Sequence, residues 1–130
     1  MILLDTCALI FDALTPERLT PTALAALNEG ESAGVLACSD ISLWEIAMLI
    51  AKGRLSPGTD AKTFCQLVLD ARGMRVLPIT PAIAARSATI ELPHGDPADR
   101  LIAATSLEHR ATLVTIDQTL RDFTPLATCW

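Results

Sequence analysis

A chain of 130 residues has room for a single domain spanning 1–130 and excludes two independent ones. With 51% hydrophobic and 19% charged residues it lies far from the composition of disordered chains, and its longest unbroken apolar run, 46–51, is far short of a membrane span. Its net charge of -5 has the wrong sign for attachment to a polyanion by bulk charge.

In chain order, Ile2 to Leu4 reads as a short buried strand cut off by Asp5. With neither a basic leader nor a long apolar stretch, this start does not read as a signal peptide, so a cytoplasmic address is expected. Thr20-Pro21 opens a helix, with a capping hydroxyl followed by proline at the first helical position. Val35 to Cys38 is a second strand. After it, Leu43, Ile46, Ala47 and Ile50 recur at helical spacing, as do Phe64, Leu67, Val68 and Ala71, so each stretch is expected to bury that face. Val76 to Ile79, Thr112 to Ile116 and Leu126 to Cys129 are three further strands, with helices opened by Thr80-Pro81 and Asp96-Pro97 between them. Strands alternating with helices predict an α/β fold: a three-layer α/β/α sandwich around a mostly parallel sheet of about five strands. Ligands of such sheets bind beyond the carboxyl ends of the strands. Cys7, Cys38, Cys65 and Cys129 form no Cys-x-x-Cys pair and are expected to be buried, reduced thiols. His94 and His109 have no partner at metal-ligand spacing.

Asp5 and Asp117 each follow a strand directly and are expected at the carboxyl edge of the sheet. Glu45 and Asp99 are expected in the first turns of the helices that begin near the same edge. Carboxylates suit Mg²⁺ or Mn²⁺, and two such ions would bring the net charge from -5 to -1. Each acid also has a structural reading. Ser42-Leu43-Trp44-Glu45 has the form of a capping box, Asp96-Pro97-Ala98-Asp99 that of a cap followed by a dipole-favouring acid, and Asp5 and Asp117 can cap whatever follows them. Convergence separates the two readings, because carboxylates about 4 Å apart repel by about 4 kcal/mol at an effective dielectric of about 20. Four caps have no reason to converge without a cation.

Leu4-Asp5-Thr6, Ser42-Leu43-Trp44-Glu45-Ile46-Ala47 with Lys52-Gly53-Arg54-Leu55, the segment from His94 through Asp96-Pro97-Ala98-Asp99-Arg100 to Thr105, Leu113 to Asp117 and the terminal Trp130 together resemble the PIN-domain ribonucleases, specifically VapC-type toxins of toxin-antitoxin pairs. The resemblance covers essentially the whole chain and places the family's acidic residues at Asp5, Glu45, Asp99 and Asp117. Asp96, before Pro97, is expected to be the helix cap, and Arg100 to form a structural ion pair. Thr115 is a candidate to hold a carboxylate or a bound water, Thr6 a candidate local cap, and Lys52 and Arg54 candidate RNA contacts. The resemblance implies hydrolysis of RNA to 5′-phosphate and 3′-hydroxyl ends by water activated on one or two Mg²⁺ or Mn²⁺ ions. It also implies a homodimer and a VapB-type antitoxin that blocks the site, with DNA reached only through that antitoxin. A catalytically inactive PIN-like scaffold that binds a partner is the alternative. A phospho-accepting receiver module would need a late lysine, whereas the lysines are Lys52 and Lys62; an Asp-x-Asp phosphatase would need an acid where Cys7 stands.

Overall fold

The computed structural model describes residues 1–93 and 95–130; His94 lies outside them. Five strands, β1 (Ile2–Leu4), β2 (Leu36–Ser39), β3 (Arg75–Leu77), β4 (Thr112–Val114) and β5 (Ala127–Cys129), form one sheet in the order β3-β2-β1-β4-β5. Every pairing is parallel. The helices are α1 (Thr6–Leu14), α2 (Pro21–Ala33), α3 (Asp40–Ala51), α4 (Ala61–Ala71), α5 (Pro81–Thr89), α6 (Pro97–His109) and α7 (Gln118–Asp122), with a 3₁₀ turn at Pro16–Arg18. Among the described residues no helix is long and apolar enough to cross a membrane.

Alternation along the strands divides the core into two. Leu4, Leu36, Cys38 and Val114 face α1 to α4, packing on Leu9, Leu27, Ile46, Phe64 and Val68. Leu3, Ala37 and Leu113 face the other way, onto Ile102 and Ala103 of α6 and Leu120 of α7. A parallel sheet buried on both faces is the middle layer of the expected sandwich. Trp130 closes the first cluster against Phe11, ring centroids 6.1 Å apart. Arg72, at the end of α4, braces the same side, with Nε and Nη2 on the two carboxylate oxygens of Asp12 in α1 (2.7 and 2.8 Å) and Nη1 on Asn28 and Glu31 of α2 (3.1 and 2.8 Å).

The three proline-led helix starts form as expected: Thr20 accepts from the Ala23 amide (3.1 Å), Thr80 from Ile83 (3.2 Å) and Asp96 from Ala98 (2.9 Å). The strand ends differ for identifiable reasons. β2 begins one residue late because the Val35 amide closes α2 onto the Gly30 carbonyl (2.9 Å), around Gly34 at φ +68°. β3 stops at Leu77 because Pro78 has no amide proton to continue the ladder, and the Ile79 amide turns to Asp40 Oδ2 (3.2 Å). β4 stops at Val114, and Ile116 is 42% exposed. In α4 the buried row runs through Phe64 and Val68, while Leu67 is 57% exposed and Ala71 lies in solvent. The expected face was placed slightly too far round that helix.

Candidate active site

β1 sits at the centre of the sheet, with β2 on one side and β4 on the other, so the chain leaves in opposite directions at their carboxyl ends. This switch point opens a crevice, and Asp5 stands in it. Its amide continues the ladder to the Val114 carbonyl (3.2 Å), and its side chain accepts from the Ala8 amide (2.8 Å), capping α1. The carboxyl is only 4% exposed. Burial pushes its pKa up, the Asp117 charge adds to the push, and hydrogen bonds from Thr115, Ala8 and Cys7 oppose it. Asp117 leaves β4 beside it: its amide donates to Thr115 Oγ1 (3.0 Å) and its carboxylate caps α7 at the Leu120 amide (3.1 Å). Thr115, fully buried, therefore ties the turn after β4 to the carboxyl at the end of β1.

The expected capping box at Ser42–Glu45 does not form. Ser39 caps α3, its hydroxyl accepting from the Ile41 amide (3.3 Å), so the helix starts at Asp40 and Glu45 lies in its second turn. The reason is that α3 follows β2 without a loop: the chain enters the helix directly after Ser39, three residues before Ser42. Ser42 and Glu45 turn instead toward Thr6 of α1, whose hydroxyl is hydrogen-bonded to Ser42 Oγ (3.0 Å) and to Glu45 Oε1. Thr6 is thus no local cap but the link between the first acid's helix and the second acid. Burial raises the Glu45 pKa, the Thr6 hydrogen bond holds it down, and the Asp96 and Asp5 charges raise it further.

Asp96 caps α6 and is exposed, while Asp99, in the first turn, is half-buried. The Arg100 guanidinium donates to the carbonyls of Ser87 (2.9 Å), Leu92 (2.9 Å) and Ile90 (2.6 Å). It ties the end of α5 and the residues through Leu92 to α6, a structural task served by backbone oxygens. The four cysteines are free, but Cys7 is exposed at the crevice mouth where burial was expected, because the second position of α1 faces out of the sheet edge. Its thiol is pushed up to about 11, by desolvation first and then by Asp5, Asp99, Glu45 and Asp117. All four expected acids thus lie within electrostatic range of Cys7. Sequence reasoning undervalued Thr6 and Cys7, and the one signal available was their position directly after Asp5.

The PIN domain profile matches residues 2–124. This chain belongs to the PIN domain family. It is 37% identical over 123 residues, 92% of the chain and 89% of the relative, to Ribonuclease VapC22 of Mycobacterium tuberculosis. Among solved structures it is similar to VapBC2 from Rickettsia felis bound to a promoter DNA fragment, with TM-score 0.75 and 18% identity over 98% of this chain and 97% of that one. It is also similar to FitAcB from Neisseria gonorrhoeae, with TM-score 0.66 and 25% identity over 98% and 96%.

In this PIN domain the donor set is carboxylate and hydroxyl oxygen, which suits a hard cation and not zinc. Among the described residues no three His, Cys, Asp or Glu side chains are gathered closely enough to cage an ion unaided. Burial, more than neighbouring charge, raises the Asp5 and Glu45 pKa values.

Proposed function

We propose that this PIN domain, residues 1–130 acting as one unit, is a metal-dependent endoribonuclease and the toxin of a toxin-antitoxin pair, working in the cytoplasm as a homodimer under a VapB-type antitoxin. The observation that carries the reading is the buried Asp5 at the switch point of the sheet, joined through Thr6 of its own helix to Glu45 and flanked by the Thr115–Asp117 turn. The 37% identity to a VapC ribonuclease over most of both chains supports RNA as substrate. The likeness in fold to VapBC2 bound to promoter DNA and to FitAcB favours an antitoxin partner, and through it an indirect contact with DNA.

Asp5, Glu45, Asp99 and Asp117 would hold Mg²⁺ or Mn²⁺. Such an ion supplies Lewis-acid neutralisation of a phosphodiester and lowers the pKa of water for in-line hydrolysis. The chain's own residues prepare that chemistry. Asp5 is fixed by the Ala8 amide and Glu45 by Thr6, so neither carboxylate must be ordered when the cation arrives. Thr115 holds the Asp117 turn in register with Asp5. The bound cation also screens the -5 chain, easing the approach of a polyanion.

Asp5→Asn preserves the cap on α1 and removes the charge, so Mn²⁺-dependent RNA cleavage should fall below detection while the circular dichroism spectrum stays that of the wild type. Cleavage that persists in Asp5→Asn, or in excess EDTA, would overturn the metal-dependent reading, and a wild type that cuts no RNA with Mn²⁺ would leave a partner-binding scaffold.

A further inference from the structure

The chain has three Phe, two Trp and no Tyr. Phe11 and Phe64 are buried, and Phe123 and Trp130 pack against the two core clusters. Trp44 is different: it is 57% exposed, immediately precedes Glu45, and lines a cleft of about 560 Å³ between α3 and α6. Met48 and Lys52 continue the same row of α3 at four-residue intervals, and Pro97 and Leu101 form the facing wall. The end at Trp44 holds Glu45 and Asp96. The other end holds Lys52 and Arg54, about 12 Å further along the helix axis. Both cations are exposed, and neither has a carboxylate partner among the described residues, whereas Arg72 and Arg86 are ion-paired.

We propose that this cleft is the substrate groove, in which a single-stranded stretch of RNA beside the scissile bond stacks a base on the Trp44 indole and sets a backbone phosphate on Lys52 and Arg54. The proposal rests on the ribonuclease reading and assigns Trp44 as a substrate-positioning residue. Charge decides the occupant. A polyanion approaching a net-negative chain needs cations at its point of entry, and unpaired cations lie at the end of the cleft remote from the carboxylates. An apolar helix would use Trp44, Met48 and Leu101 but leave Lys52 and Arg54 without a role. Bases splayed from a single strand are held by aromatic faces with little regard to sequence, so one exposed indole beside the acids suffices to fix the reacting phosphate.

The test has a binding arm and a cleavage arm. In Trp130→Phe protein kept in EDTA, Trp44 is the sole indole, and a mixed-sequence single-stranded 12-mer of RNA should quench its fluorescence saturably while inorganic polyphosphate should not. Lys52→Ala and Arg54→Ala should each flatten the salt dependence of that binding by about 0.7 in log-log slope. With Mn²⁺ and total cellular RNA, Trp44→Ala should raise the apparent KM about tenfold with kcat near wild type, and Trp44→Phe should recover most of the loss. Quenching by RNA in a protein that cuts nothing would sustain the groove and remove the ribonuclease reading. Cleavage with an unchanged KM in Trp44→Ala would overturn the groove and leave the ribonuclease reading standing. Loss of antitoxin binding in Trp44→Ala, with the RNA KM unaltered, would likewise overturn it and identify a peptide groove.

Discussion

Asp96 accepts the Ala98 amide ahead of Pro97 and is exposed, whereas Asp99, one turn on, is half-buried and acts on Cys7 together with Asp5, Glu45 and Asp117. Two acids three positions apart on one helix start thus face different demands. Asparagine caps a helix about as well as aspartate, so Asp96→Asn should cost only a few tenths of a kcal/mol and leave RNA cleavage within a few-fold of wild type. Asp99→Asn removes charge from the cluster, and cleavage should fall by more than about 100-fold with the melting temperature held or raised. Single-turnover cleavage of total RNA by the two variants distinguishes these outcomes, and a reversed order would mean that the cap is the ligand. Glu45 shows why such assignments need the fold. Its spacing from Ser42 matches a capping box, yet its partner is Thr6, 39 residues away in the chain.

At the scale of elements, α2 crosses the sheet where no side chain fits. A Cβ added to Gly30 would lie 2.6 Å from Leu36 Cδ2 and 3.2 Å from Ile2 Cγ1, and Leu36, 1% exposed, has nowhere to move. Gly30→Ala gains about 1 kcal/mol of helix propensity but overpacks the contact at a cost of about 1–3 kcal/mol. Urea denaturation should show a net loss of about 1 kcal/mol; a gain would mean that α2 can slide on β2. Much of this architecture was legible because short apolar runs alternate with proline-led helix starts. The residues that end an element by hydrogen bonding out of register were not legible. Val35 turns back to Gly30, Ile79 turns to Asp40, and Ser39 caps α3 before Ser42 can, each a contact whose partner is known only once the chain has turned. The acids were legible for a related reason. A residue directly after a buried parallel strand must emerge at the carboxyl edge, so Asp5 needed no tertiary information, and Asp117, two residues further from the end of β4, emerges on the same side, while the exposure of Trp44 and Cys7 depended on which way a helix face turns.

Over the whole molecule, the fold concentrates negative charge at one crevice of a chain whose net charge is already -5, and the metal-free protein bears the consequence. The carboxyl pKa values of Asp5 and Glu45 are raised above their ordinary 3.8 and 4.5, chiefly by burial. A raised folded pKa means that the folded state prefers the protonated group. The stabilisation is complete below the ordinary value and is lost as pH climbs through the raised one. In EDTA, Asp5→Asn should therefore melt close to wild type at about pH 3.5 and increasingly above it as the pH rises toward neutrality, since the amide keeps the cap and carries no charge. Divalent cation should reverse the order. At neutral pH, Mn²⁺ at about a hundred times its dissociation constant should stabilise the wild type by about 2.7 kcal/mol, Asp5→Asn far less, and the gain should shrink in acid as protons compete for the same oxygens. Differential scanning fluorimetry across pH, with EDTA or millimolar Mn²⁺, reads both halves at once. A wild type indifferent to Mn²⁺, or an Asp5→Asn variant less stable than wild type at neutral pH in EDTA, would show that the Asp5 carboxylate serves α1 alone.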